Sequence, residues 1–335
     1  MINVGVIGIG YWGPHLIRNF IAHPETQVEL CCDLKQERLD HIVNVYPFLK
    51  TTKNLEEVVK DSSIDLIVIC TPVFTHYEIA KSALREGKHV LIEKPMTATS
   101  EQAEELVNIA AGKGLKIFVD HTFLYTGAVR KIKELMGNAE MGKPYYFDSV
   151  RVNLGLFQHD VNVMWDLAPH DISIMYYLFN QKPVSVVATG ASHLNNGLED
   201  VAYLTIYYPE NLIAHVHVSW LSPVKIRQTL IAGTKKMIVW DDNNPSEKVR
   251  IYDKGVEIIK TVNQVYNTLI QYRTGDMYCP KIDMTEALIT EVDQIIKNLN
   301  NGSNGCADGQ AGWMVVRILE AAQESIKKRG KEIRI

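Results

Sequence analysis

The stretch Met1-Ile2-Asn3-Val4-Gly5-Val6-Ile7-Gly8-Ile9-Gly10-Tyr11-Trp12-Gly13-Pro14 decides the fold. Its first half is a short Val- and Ile-rich run that reads as a strand, and Pro14 is tolerated in the first turn of a helix. Between them Gly8-Ile9-Gly10-Tyr11-Trp12-Gly13 fits G-x-G-x-x-G in the strand–turn–helix setting that a dinucleotide-binding turn requires. Gly8 permits the tight turn, Gly10 lets backbone approach a pyrophosphate, and Gly13 lets helix and strand pack closely. The N–H groups at the helix start offer positive potential to phosphates, and Tyr11 and Trp12 lie in the same cofactor-facing turn. Asp33 follows 20 residues after Gly13, at the end of the next apolar run. A carboxylate there can accept both ribose hydroxyls and repels a 2′-phosphate, so NAD is expected over NADP. Lys35 and Arg38 nearby weaken that preference.

Outward from this turn, strand-like runs at Asn3–Ile9, Gln27–Cys32, Ile64–Cys70, His89–Ile92 and Lys116–Val119 alternate with helical periodicity at Pro14–Ala22, Leu55–Lys60, His76–Glu86 and Glu101–Ala111. Ser100 is the N-cap candidate of the last helix, and Gly87 and Gly112 close two of them. Continuous apolar strands alternating with helices predict a doubly wound parallel sheet covered on both faces. From about residue 144 the rhythm changes. Tyr145–Val152, Val184–Thr189, Val201–Tyr208, Ile213–Trp220, Arg227–Ala232, Met237–Trp240, Val249–Tyr252 and Val256–Ile259 read as strands, interrupted by one helix near Pro169–Phe179. Val201, Tyr203, Thr205 and Tyr207 alternate with Ala202, Leu204, Ile206 and Tyr208, the pattern of an open, mostly antiparallel sheet with helices on one side. Two helices, Glu286–Leu299 and Gly309–Lys328, end the chain. The fold class is therefore α/β, with an expected nucleotide-binding domain over 1–121, an α+β domain over 122–308, and the helix 309–328 returning to the first.

Composition narrows the function classes. The 335 residues are 46% hydrophobic and 22% charged with a net charge of −4, a globular composition with no global reason to bind nucleic acid or an anionic membrane. No apolar run approaches a bilayer span and no signal-peptide layout opens the chain, so a cytoplasmic location is expected. The five cysteines lack disulfide or zinc spacing and read as small apolar residues in a reducing compartment.

In a doubly wound sheet the carboxyl ends of the strands line the ligand crevice, which puts Thr71, Pro72 and His76 beside the cofactor. Glu93-Lys94-Pro95 follows a strand in the same way. The Lys94 ammonium can donate to a substrate hydroxyl, Glu93 can hold it, and Pro95 constrains the turn, with a cis bond open to it. On the residues alone a solvated turn competes with that reading. Asp166 and His170 stand four apart at the start of the Pro169 helix, Asp166 at or near its N-cap. A histidine beside a carboxylate suits removing a proton from an alcohol, and a cap with a surface histidine is the alternative. His215 and His217 share one strand face with no third metal ligand in view, so no metal is expected.

Together Gly8–Gly13, Asp33, Thr71-Pro72 with His76, Glu93-Lys94-Pro95, Asp166 with His170, and the tail Gly312–Ser325 resemble the Gfo/Idh/MocA oxidoreductases over nearly the whole chain. The resemblance implies a Rossmann domain, a second domain whose open sheet forms homodimers or homotetramers, and hydride transfer between a nicotinamide and a sugar or polyol carbon. Carried over, Lys94 positions the reacting hydroxyl and the cofactor, while His170 is the acid–base with Asp166 beside it. Val119–Tyr125, Arg151–Gly155 and Trp165–Asp171 look like the branch of sugar-nucleotide 3-dehydrogenases acting in surface-glycan assembly. Leu167-Ala168 stand where many relatives have Gly-Gly, a departure that branch shares. Tyr125, Arg151, Asn153 and Arg227 are the candidate contacts to a sugar or nucleotide-sugar substrate. A free-sugar or inositol dehydrogenase, an NADPH-dependent ketoreductase, and a non-catalytic NAD-binding regulator are the rival readings.

Overall fold

The structure is a computed structural model that describes all residues except 139, 156, 159, 195, 196 and 260–268, and the side chains of 257–259, 269 and 270 are also left aside. The chain divides into two compact units, one of residues 1–126 and 285–320, the other of 127–284 and 321–335.

In the first unit the order is β1 (Ile2–Ile7), α1 (Gly13–Ala22), β2 (Thr26–Cys32), α2 (Gln36–Val45), β3 (Lys50–Thr52), α3 (Leu55–Val59), β4 (Leu66–Ile69), α4 (Val73–Arg85), β5 (His89–Glu93), α5 (Ser100–Lys113) and β6 (Ile117–Asp120). The six strands form one parallel sheet in the order β3-β2-β1-β4-β5-β6. This is the expected Rossmann-type doubly wound sheet, and its order reverses between β1 and β4, where ligands lodge in such sheets. β4 is buried along its whole length, which is why its run of Leu, Ile and Val shows no alternation. Sequence reading left out α2 and β3. β3 is an edge strand of three half-exposed or exposed residues, too polar to stand out.

Helix ends moved by a residue or two. The α5 cap is Thr99, whose hydroxyl accepts from the Gln102 N–H, rather than Ser100, and Gly114 at φ +69° closes the helix rather than Gly112. A larger difference concerns the helix α8 (Ala287–Asn301). The 122–308 boundary assigned it to the second domain, but Leu288, Val292, Ile295 and Ile296 lie in one apolar core with Leu16, Ile17 and Phe20 of α1. A helix whose apolar stripe matches an open face packs there whatever its distance along the chain. The final helix α9 (Gly309–Lys327) lies against β6 at its start, where a Cβ on Gly312 would fall 2.5 Å from Val119.

The second unit holds α6 (Gly127–Gly137), α7 (Val163–Phe179) and a nine-stranded sheet. Its strands are β7 (Pro144–Leu154), β8 (Ser185–Ala191), β9 (Val201–Tyr207), β10 (Ile213–Ser219), β11 (Leu221–Gly233), β12 (Met237–Asp241), β13 (Val249–Ile259), β14 (Leu269–Tyr278) and β15 (Ile333–Arg334). The order is β14-β13-β12-β11-β7-β10-β9-β8-β15, antiparallel except where β7 runs parallel to β10. On β9, Ala202, Leu204 and Ile206 are buried while Tyr203 and Tyr207 are exposed, as the alternation predicts. Val249–Tyr252 and Val256–Ile259 are one strand rather than two, and β14 shows no strand pattern in the sequence because its described residues are mostly exposed and polar. The helix α7 starts earlier than expected. Asn162, not Asp166, is its cap, accepting from the Trp165 N–H at 3.0 Å, so Pro169 lies inside the helix rather than in its first turn. Val163 and Met164 at 0% exposure supply the burial that holds this extra turn. Among the described residues no helix is long and apolar enough to cross a membrane.

Candidate functional site

The glycines of the first turn do three different things. Gly8 has φ +94°, and a Cβ there would sit 2.6 Å from the Cys70 carbonyl oxygen, so the turns after β1 and β4 touch through it. A Cβ on Gly13 would meet the Gly8 carbonyl at 2.2 Å, so that glycine serves internal packing. Gly10 differs: beyond its chain neighbours, among the described residues, a Cβ there would meet nothing nearer than Arg38 at 3.8 Å, so its missing side chain leaves room there. No side chain caps the start of α1, where Pro14 brings no N–H and the His15 and Leu16 N–H groups donate to the Trp12 carbonyl at 3.0 and 3.4 Å. A cleft of about 510 Å³ opens beside it, lined among others by Gly8, Asp33, Leu34, Thr71, Pro72 and Phe74. These groups fit a nicotinamide dinucleotide: space at Gly10, a helix start with no side-chain cap and a carboxylate at the end of β2.

Asp33 is buried, yet each oxygen has a donor. Oδ2 accepts from the Ile9 N–H at 2.8 Å and from Arg38 at 3.1 Å, and Oδ1 from the Lys35 N–H at 2.8 Å. Burial alone would raise its pKa, but those donors outweigh it and hold the carboxyl below its ordinary range. Thr71 and Pro72 border the cleft. His76 does not reach it. Its ring, 1% exposed, lies between the Thr71 carbonyl at 2.7 Å and the Pro95 carbonyl at 3.0 Å, and clasps those two turns together. Tyr11 is exposed, and Trp12 turns inward to donate its indole N–H to Asp120.

Glu93 and Lys94 stand where β5 ends, and the peptide from Lys94 to Pro95 is cis. Glu93 is the register partner of Asp120 at the end of β6, and His121 follows Asp120 as Lys94 follows Glu93. Two neighbouring parallel strands thus both end in an acid followed by a base. The Thr122 hydroxyl also donates to Asp120, and the Lys94 ammonium acts on both Asp120 and His121. Burial first, and then that ammonium, push His121 down to about 3 and keep it neutral.

In the second unit Asp166 and His170 share one face of α7, one turn apart. Asp166 accepts the Trp220 indole N–H at 3.1 Å, and the Ser173 hydroxyl donates to the His170 carbonyl at 2.8 Å. Two of the four substrate candidates are engaged internally. Arg151, 4% exposed, grips Asp171 with Nε at 2.7 Å and a second nitrogen at 3.1 Å, and Tyr125, a residue of the first unit and 3% exposed, lies against Cys306 and Glu291 of that same unit. An arginine inside a sheet needs such a bidentate carboxylate to offset its desolvation. Asn153 is half-buried near Gly155, and Arg227 is register partner to Arg151 with Asp242 at 3.7 Å. His215 has Asp148 at 3.3 Å, and Tyr203 stacks on His217 with ring centres 4.4 Å apart. No group of three or more metal-ligating side chains occurs among the described residues. The residue that sequence reading missed is Glu291, whose helix stripe reads as plain amphipathic but whose carboxyl is fully buried.

Two family models cover most of the chain. Residues 2–121 match the NAD-binding Rossmann fold of the oxidoreductase family, and 129–239 match the Gfo/Idh/MocA C-terminal domain. The chain belongs to the Gfo/Idh/MocA oxidoreductase family. Within that family it is similar to scyllo-inositol 2-dehydrogenase (NADP(+)) of Bacillus subtilis, 25% identical over 98% of this chain and 94% of the relative. It is also similar to UDP-N-acetylglucosamine 3-dehydrogenase of Acidithiobacillus ferrooxidans, 24% identical over 96% of this chain and 95% of the relative. The solved structure of that second enzyme superimposes with a TM-score of 0.81, at 22% identity and 98% coverage of both chains, which shows the shared fold. A sugar or polyol dehydrogenase is thereby supported as the general class of this oxidoreductase.

Proposed function

We propose that this oxidoreductase is an NAD-dependent dehydrogenase of a secondary hydroxyl on a sugar, C3 of a nucleotide-linked one such as a UDP-N-acetylhexosamine or its uronate. The observation that carries the reading is Lys94 at a strand end of the same parallel sheet whose first strand leads into the dinucleotide-type turn, combined with an Asp166–His170 pair on one helix face. Similarity to a UDP-N-acetylglucosamine 3-dehydrogenase along 96% of the chain supports the substrate class. Bound in the cleft, the nicotinamide would supply the two-electron acceptor for the alcohol. Gly8, Gly10 and the α1 N-terminus hold its pyrophosphate, and Asp33 its ribose. Lys94 donates a hydrogen bond to the reacting hydroxyl and favours the developing alkoxide. His170 takes the hydroxyl proton, and Asp166 favours the imidazolium that results.

A polyol substrate with NADP is the second reading, favoured by the inositol dehydrogenase relative and by Lys35, Arg38 and Lys53 around the same cleft as Asp33. Initial rates of nicotinamide reduction on UDP-N-acetylglucosamine, its uronate, free N-acetylglucosamine and inositols, each with NAD and NADP, separate the two. Turnover of inositols but not of UDP-sugars overturns the first reading. The chain is also proposed to form a homodimer or homotetramer through the sheet face that exposes Tyr203 at 43% and Tyr207 at 37%. Light scattering from a monomer at working concentration would sink that part.

A further inference from the structure

The first unit buries two carboxyl groups against each other. Asp120 is 1% exposed and Glu291 0%. Asp120 receives donors from Trp12 and Thr122. Glu291 has no such donor: among the described residues neither of its oxygens receives an N–H or O–H bond. The group that Glu291 meets within hydrogen-bond reach is Asp120 itself, with Cys306 and Glu93 beyond it and the Tyr125 phenol alongside. The Lys94 ammonium acts on Asp120, and His121 beside it is uncharged.

Two adjacent carboxylates cannot both be ionised out of water, because each pays desolvation and they repel. Here the asymmetry of donors decides which keeps the proton. The indole and hydroxyl favour charge on Asp120, while among the described residues no N–H or O–H donor favours it on Glu291. We infer that Asp120 and Glu291 hold one proton between them, carried on Glu291, so that the pair presents a single negative charge to Lys94 and Glu291 is a positioning residue acting through Asp120. Burial and the neighbouring carboxylate also lift Glu291 well above the ordinary carboxylate range, in keeping with a protonated group. The meaning of that charge rests on the reading of Lys94 above, but the proton count does not, and its test needs no turnover.

The test counts charges with Lys94 as the probe. In the full-length protein the rate of trinitrophenylation of Lys94, read by peptide mass spectrometry, reports the fraction of uncharged amine, with Lys53 as internal standard. Asp120→Asn removes the charge and should raise the Lys94 rate about tenfold, because a nearby opposite charge favours the ammonium by a unit of pKa or more. Glu291→Gln replaces a neutral acid by a neutral amide and should leave the rate within about twofold. A rise in Glu291→Gln as large as in Asp120→Asn shows both groups ionised and overturns the inference. No rise in Asp120→Asn shows no charge there and overturns it equally. Should Asp120→Asn fail to fold, infrared spectra of the wild type and Glu291→Gln decide. A protonated-carboxyl stretch in neutral buffer that vanishes in Glu291→Gln supports the shared proton, and its absence from the wild type overturns it. An enzyme inactive on every UDP-sugar leaves both measurements readable.

Discussion

The ends of β2 and β6 each bury a carboxylate in the same sheet, and the two behave in opposite ways. At Asp33 backbone N–H groups and an arginine converge, and the acid lies below its ordinary pKa. At Asp120 and Glu291 the donors are fewer than the oxygens, and both acids lie above it. Burial is common to both places; the supply of donors decides the sign. On the proposed function, the first site holds a polar ligand in a fixed charge state, and the second holds a proton beside the lysine of the reaction.

The comparison breaks most readily by mutation of Lys94, which follows β5 next to the β6 end. Lys94→Ala should lower kcat by about a thousandfold, the scale of removing a preorganised donor, while NAD affinity by calorimetry stays within a few-fold. An equal loss of NAD affinity would make the β6 edge a binding site like the other. His170→Ala in the second unit should cost about a hundredfold or more in kcat and flatten the acidic limb of the pH–rate profile. An unchanged limb removes His170 as the base. Gly10→Val is the reciprocal change at the binding edge. Its Cβ meets the far end of the Arg38 side chain at an ordinary 3.8 Å, so the melting temperature should hold, while NAD binding weakens about tenfold or more as the side chain fills the phosphate position. Loss of folding in this variant would mean that Gly10 serves packing, as Gly13 does.

The smallest effect is in stability against pH, and its sign differs between the edges. Asp33, lowered in the fold, adds stability that is full above the ordinary aspartate range and is lost as pH falls through its folded value. Glu291, raised in the fold, binds its proton more tightly folded than unfolded. Its contribution is therefore best below the ordinary glutamate range and declines as pH rises toward its folded value. Thermal melts should show Asp33→Asn less sensitive to acid than the wild type, and Glu291→Gln less sensitive to alkali, each by a few degrees. Parallel curves for wild type and both variants would erase the distinction between the two carboxyl sites.

How much of this was legible differs residue by residue. Gly8, Gly13 and Asp33 could be read because their roles depend on neighbours a few positions away or on one strand crossing, and the pattern carries that spacing. Lys94 stood out only as a charge at a strand end, and its cis proline was no more than an open possibility. His76 and Arg151 were legible as polar residues near a site. Their engagement with the Thr71 and Pro95 carbonyls and with Asp171 depends on groups brought close only by folding. Asn162 was passed over as the α7 cap because proline at 169 is the louder local signal, though burial of Val163 and Met164 outweighs it.

The sequence by itself determined the alternation of strands and helices, the phosphate-type turn and the change to an open sheet after residue 144, because these follow from periodicity and backbone sterics over a few residues. Only the tertiary structure decided that α8 joins the first core and that its Glu291 meets Asp120, residues 171 positions apart by number (291 less 120). Charge state in a buried site depends on which donors arrive from distant segments, and no local pattern in the chain records their arrival.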